Sequence, residues 1–157
     1  MRRTVALALV SFAVLGAPEA RAQTRGAVAI VVNPSTAVDD LSLLELRNVF
    51  LGERQFWGDG SRIVLLVRAP VAYERDVVLN RIYRMDESQF RQYWIAKVFR
   101  AQVSSGPKIV YSNDMTRQLV AALPGAVGFI AAGDVAADMK VLRINGKLPG
   151  DPDYPLR

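Results

Sequence analysis

The stretch IVLLVRAPVAYERDVVLNRIYR, Ile63 to Arg84, decides the fold. Its first five residues, Ile63 to Val67, are all apolar with no polar alternation, so they read as a strand covered on both faces. Pro70 cannot donate to a ladder and closes the strand just beyond Arg68. From Tyr73 to Arg84 apolar and polar positions alternate at helical spacing, with Val77, Val78 and Ile82 on one side. A buried strand that runs through a short loop into a helix is the repeating unit of an α/β layer. It has a chemical consequence as well. The first amides of the helix have no intrahelical acceptor and the helix dipole adds positive potential there, so an oxyanion can be held at that point. Arg68 would add a bidentate contact to such an anion, or else cap or pair at the surface.

Upstream, Ala27 to Val32 (AVAIVV) is a second continuous apolar run and predicts another buried strand, broken by Asn33-Pro34-Ser35-Thr36. Ser42-Leu43-Leu44-Glu45 matches a capping box and starts a short helix that runs to about Leu51, with Gly52 as its left-handed terminator. Trp57-Gly58-Asp59-Gly60 is the turn into Ile63, in which Phe56 and Trp57 are expected to pack. Val49 to Gly60 thus reads as the passage from helix to strand and not as a reactive loop, which would need titratable partners.

Downstream, Asp86 with Gln89 predicts a second capping box, followed by an apolar stripe of Phe90, Trp94, Ile95, Val98 and Phe99. Ser104 to Pro107 is a loop, and Lys108 to Tyr111 a short strand. Asn113 or Asp114 is the expected cap of a helix through Leu123, stopped by Pro124-Gly125. Ala126 to Ile130 and Lys140 to Ile144 complete the strands before the Asn145-Gly146 turn. Strands alternating with helices, without repeats or low-complexity tracts, predict a single α/β domain.

The first residues carry a different signal. Arg2 and Arg3 precede an apolar run from Val5 to Ala17, and Ala20-Arg21-Ala22 supplies a small-x-small cleavage motif. Residues 1–22 are therefore expected to be a secretory signal peptide and 23–157 the mature domain, periplasmic or secreted. The apolar run falls short of the ~20 residues that a membrane anchor needs, and no stable membrane insertion is expected after cleavage.

With no cysteine in the 157 residues, disulfides, thiol chemistry and a lipid-modified cysteine are excluded, and the absence of histidine removes the commonest metal ligand and general base. The leader takes Arg2, Arg3, Arg21 and Glu19 with it, which leaves a mildly basic chain with no charge run of the kind that binds nucleic acid. No nucleophile elbow is present, and the neighbouring acids Asp39 and Asp40 are better explained as charges favouring the positive end of a helix than as a catalytic pair. The sequence points away from an enzyme and calls for no cofactor and no metal.

Five stretches, in order, resemble one family: AIVVNPS, LSLLELRNVFLGERQFW, IVLLVR, LVAALPGAVGFI and VLRINGKLPGDPDYPLR. The chain is similar to the substrate-binding proteins of phosphate ABC transporters, of the type 2 periplasmic binding fold. The resemblance implies an α/β fold with a mixed sheet flanked by helices, equivalent to one lobe, and a ligand on an open face or at an interface with another chain. It implies phosphate or another small anion as ligand, and a membrane permease or another periplasmic protein as partner.

The implied anion site is Arg68, Ala72, Tyr73, Glu74 and Arg75. In the family the arginine is followed by a Ser-Gly-Thr turn. Here Ala72, Tyr73 and Glu74 stand in those places, so two hydroxyls are lost, a flexible residue becomes bulky and a carboxylate enters the helix start. Arg75 is the neighbouring cation expected to offset Glu74. The alternative is a protein-interaction or structural module that keeps the fold without binding phosphate.

Overall fold

A computed structural model describes residues 26–157, so the expected leader lies outside the described residues. Among the described residues, seven strands and four α-helices follow one another: β1 (Val28–Val32), β2 (Asp40–Leu41), α1 (Leu43–Phe50), β3 (Val64–Arg68), α2 (Tyr73–Val78), α3 (Glu87–Phe99), β4 (Lys108–Val110), α4 (Asn113–Ala122), β5 (Ala126–Ala131), β6 (Lys140–Val141) and β7 (Arg143–Ile144). The main sheet has the order β4-β3-β5-β1-β6. In it β3 is parallel to β4 and β5, whereas β1 is antiparallel to β5 and β6. It is a mixed sheet flanked by helices, as the sequence led us to expect.

The apolar runs explain the layering. Every residue of β1 is buried because Val28, Ile30 and Val32 pack on one face and Ala29 and Val31 on the other. The first face is covered by α1, α2 and α3 through Leu46, Phe50, Val78 and Phe90; the second is covered by α4 through Val120. Each such large side chain taken from water is worth about 1.5–3 kcal/mol, which is how a chain without disulfides holds its core. Helix α4 comes close to the sheet because Gly128 of β5 has no Cβ, and one built there would lie 2.9 Å from Thr116 Cγ2.

Both capping boxes form, Ser42 with Glu45 and Asp86 with Gln89. Five expectations are corrected. The strand read from Lys140 to Ile144 divides at Leu142 into β6 and β7, which belong to different sheets. The helix from Tyr73 is regular only to Val78; Leu79–Tyr83 is a π turn that ends at Arg84 in the left-handed region, φ 56°. The cap of α4 is Ser112, whose hydroxyl accepts from the Met115 amide, and Asn113 is the first residue inside the helix.

The stripe of α3 divides: Phe90 and Trp94 are buried, whereas Ile95, Val98 and Phe99 are exposed. Lys97 is buried in their stead, because its ammonium reaches the Leu51 carbonyl and the Glu53 carboxylate. Finally, Trp57 packs and donates its indole N–H to the Gly125 carbonyl, but Phe56 remains exposed.

The acids Asp39 and Asp40, just ahead of the cap of α1, are tied to the C-terminal segment. Asp39 pairs with Lys140 at 2.7 Å and Asp40 accepts from the Gly146 amide at 3.1 Å. The paired strands β2 and β7 are thereby locked beside the Asn145-Gly146 turn, where both residues have positive φ.

Candidate functional site

The parallel strands β3 and β4 end side by side, and the helices that follow them, α2 and α4, begin at that same edge of the sheet. Arg68 is the last residue of β3 and opposes Val110 of β4; the next amide, of Ala69, donates to the Val110 carbonyl at 2.8 Å. Pro70 and Val71 then form the tip. Val71 is fully exposed and held at φ 69°, a left-handed conformation that costs a β-branched residue about 1–3 kcal/mol. Ala72 is the N-cap of α2 and has no side chain to meet the helix amides.

Glu74, in the first turn of α2, is buried, and its Oε2 lies 4.0 Å from Arg68 Nε. Its other oxygen accepts from Asn113 Nδ2 at 2.8 Å, and the same amide nitrogen donates to Asp134 Oδ2 at 2.6 Å. Opposite charges this close attract, and Glu74 is the carboxylate that faces the Arg68 guanidinium. The distance is nonetheless too long for a hydrogen bond. Arg68 Nε and Nη1 are buried and have no hydrogen-bond acceptor.

Arg75 behaves differently, although it belongs to the same loop and helix. It is buried, its Nη1 donates to the Arg68 carbonyl at 2.6 Å, and its Nε and Nη2 fork onto the Glu87 carboxylate. Its guanidinium also lies over the Phe90 ring, 4.7 Å from the centroid. The hydrogen bonds from Arg75 hold the Glu87 carboxyl below the usual carboxylate range. Contrary to the expectation from the sequence, Arg75 therefore does not offset Glu74; it fixes the backbone on which Arg68 stands.

Tyr73 is partly exposed and donates its hydroxyl to the Ala27 carbonyl at 3.2 Å. Burial, and secondarily the nearby Glu74 and Asp134 charges, push its phenol up from the ordinary value.

Of the residues expected at the site, Arg68 and Glu74 meet. Ala72 and Tyr73 flank them, and Arg75 is turned away into the core. Asn113 and Asp134 were not foreseen. Asn113 carried only the weak signal of a helix cap, and Asp134 carried none, since β5 and the turn after it bring it to the site from 60 residues beyond Glu74.

No family model matches the chain. Solved structures do. An ABC-type phosphate transport receptor from Vibrio cholerae superposes with a TM-score of 0.63 at 22% identity, over 78% of this chain and 48% of the receptor. PstS from Borrelia burgdorferi gives 0.62 at 15% identity, over 83% of this chain and 53% of that one. A phosphate-binding protein from Stenotrophomonas maltophilia gives 0.58 at 14% identity, over 79% and 40%. The fold is that of the phosphate-binding proteins of ABC transport. This phosphate-binding-protein fold is present here as a domain that spans about half the length, or less, of the solved proteins it matches. Within it, the Arg68 and Glu74 pair stands where two strand ends and two helix starts converge.

Proposed function

We propose that the chain is an exported, non-catalytic solute-binding-type domain that presents Arg68 to phosphate or another small oxyanion and delivers it to a membrane permease. It works in the periplasm after removal of a leader ending near Ala22. No described helix is long and apolar enough to cross a membrane. The observation that carries the reading is the pair of buried Arg68 N–H groups, Nε and Nη1, that have no acceptor. A buried donor left unpaired costs about 1–3 kcal/mol, and an oxyanion that met both would remove that cost. Glu74 weakens the site, because a dianion would face its carboxylate as well as the guanidinium.

The test is calorimetric titration of the purified protein with inorganic phosphate. Saturable binding tighter than millimolar, abolished by Arg68→Ala, is the expected outcome. Binding that survives Arg68→Ala overturns the site assignment.

A second reading has its own support: the Glu74 carboxylate is already fixed by Asn113 and takes the place of a bound anion. On that reading the domain is a protein-interaction module that has kept the fold and gives up the ligand. The absence of phosphate binding in the same titration would select it.

A further inference from the structure

At the opposite end of β3, about 13 Å from Arg68 at about 3.3 Å per strand residue, lies a cleft that the anion site does not involve. It opens between the end of α1, the start of β3, helix α3 and the loop before β4, and its volume is about 170 Å³. Its base is apolar, with Val49, Trp94 and Val103 buried around it. Gly52 lets the Trp94 ring pack close against the end of α1, since a Cβ built there would lie 3.0 Å from it.

The mouth is cationic. Arg54, Arg62 and Lys108 line it, and no aspartate or glutamate does. None of the three forms a salt bridge among the described residues, and Arg54 has only a weak electrostatic coupling, to Glu45. Arg54 Nε is used on the Phe56 carbonyl and Arg62 Nη2 on the Ser104 hydroxyl, which hold the two guanidinium groups in place and leave further N–H groups on each.

Three like charges around a small opening repel one another, and an anion bound between them relieves that repulsion. The size of the cavity sets the rest of the ligand. An enclosed apolar cavity of about 150 Å³ accepts one benzene ring, and this open cleft of about 170 Å³ has room for an organic body of about that size. The geometry points to a second binding site, for a small organic anion: a carboxylate at the cationic mouth and a single ring or short branched chain on Trp94 and Val103. Phosphate has the charge but no apolar body, so this site discriminates against the ligand proposed for Arg68.

The experiment is an NMR titration of the purified protein with sodium benzoate, and with neutral benzamide for comparison. Saturable benzoate shifts are expected at the Trp94 indole N–H and the Val103 methyls. Benzamide should bind at least tenfold more weakly, and Arg62→Gln with Lys108→Gln should weaken benzoate at least tenfold while leaving the phosphate titration unchanged. Dispersed spectra of the variant confirm that it is folded, since both side chains are exposed. The proposal is overturned if benzoate produces no saturable shifts, if the shifts centre on Arg68 and Asn113, or if benzamide or the double variant binds as tightly as benzoate does to the parent protein.

Discussion

At the C-terminal end of β3, two arginines seven residues apart are both buried, yet they are used in opposite ways. Arg75 satisfies three donors on the Glu87 carboxylate and the Arg68 carbonyl and stacks on Phe90. Arg68 has a carboxylate 4.0 Å away and two buried nitrogens without an acceptor. The one is a completed structural element; the other is charged, enclosed and unpaired, which fits the anion role proposed for it. The difference teaches that burial of a cation alone does not mark a site. Unmet hydrogen-bonding capacity is the further observation on which the proposal for Arg68 rests.

That comparison predicts unequal effects. Arg75→Ala should be the most damaging change, because it leaves the Arg68 carbonyl without its donor, strips the fork from Glu87 and opens a gap against Phe90. We expect a loss of about 3 kcal/mol in urea unfolding. A loss under 1 kcal/mol would show that Arg75 is not the anchor of the loop.

Arg68→Met and Glu74→Gln should each destabilise, since each leaves the other charge buried without a counterpart. Combined, they should cost less than the sum, with a coupling of about 0.5–3 kcal/mol in a double-mutant cycle. Additive losses would mean that the two groups do not sense each other across 4.0 Å.

The smallest expected effect concerns acid. The folded-state pKa of Glu87 lies below its ordinary value of 4.5 because Arg75 hydrogen-bonds the ionised form. The unfolded chain therefore binds the proton more readily. The stabilisation from this group is fully present above about pH 4.5 and is lost as the pH falls through the lowered folded value. Because the Glu87 side chain is 38% exposed, screening holds this contribution to about 0.5–1 kcal/mol. Glu87→Gln should flatten that part of the pH dependence of stability. An unchanged acid limb would assign the acid sensitivity to other carboxylates.

Much of the fold was legible because its signals are local. The capping boxes of α1 and α3 lie within four residues, and the apolar runs of β1 and β3 declare strands buried on both faces. What the sequence hid was long-range. Asn113 does not cap its helix because its amide is drawn to Glu74, 39 residues away, while Ser112 takes the cap. Lys97 is buried and Phe99 exposed because Leu51 and Glu53 supply acceptors 46 and 44 residues from the lysine, which no helical period can announce.

The candidate site was legible to the same degree. Arg68 and Glu74 follow from one loop and were readable together, whereas the partner of Arg75, twelve residues on, was not. Nor was the cationic cleft, whose lining residues come from positions 49 to 108.

On the proposed function, Glu74 is the group that opposes an anion at Arg68. The most direct test is a calorimetric phosphate titration of Glu74→Thr against the parent protein. Removing the carboxylate that a bound anion would face, and adding a hydroxyl, should tighten phosphate by at least tenfold, about 1.4 kcal/mol, and Arg68→Ala in the same background should abolish the gain. An unchanged affinity in Glu74→Thr would contradict the account.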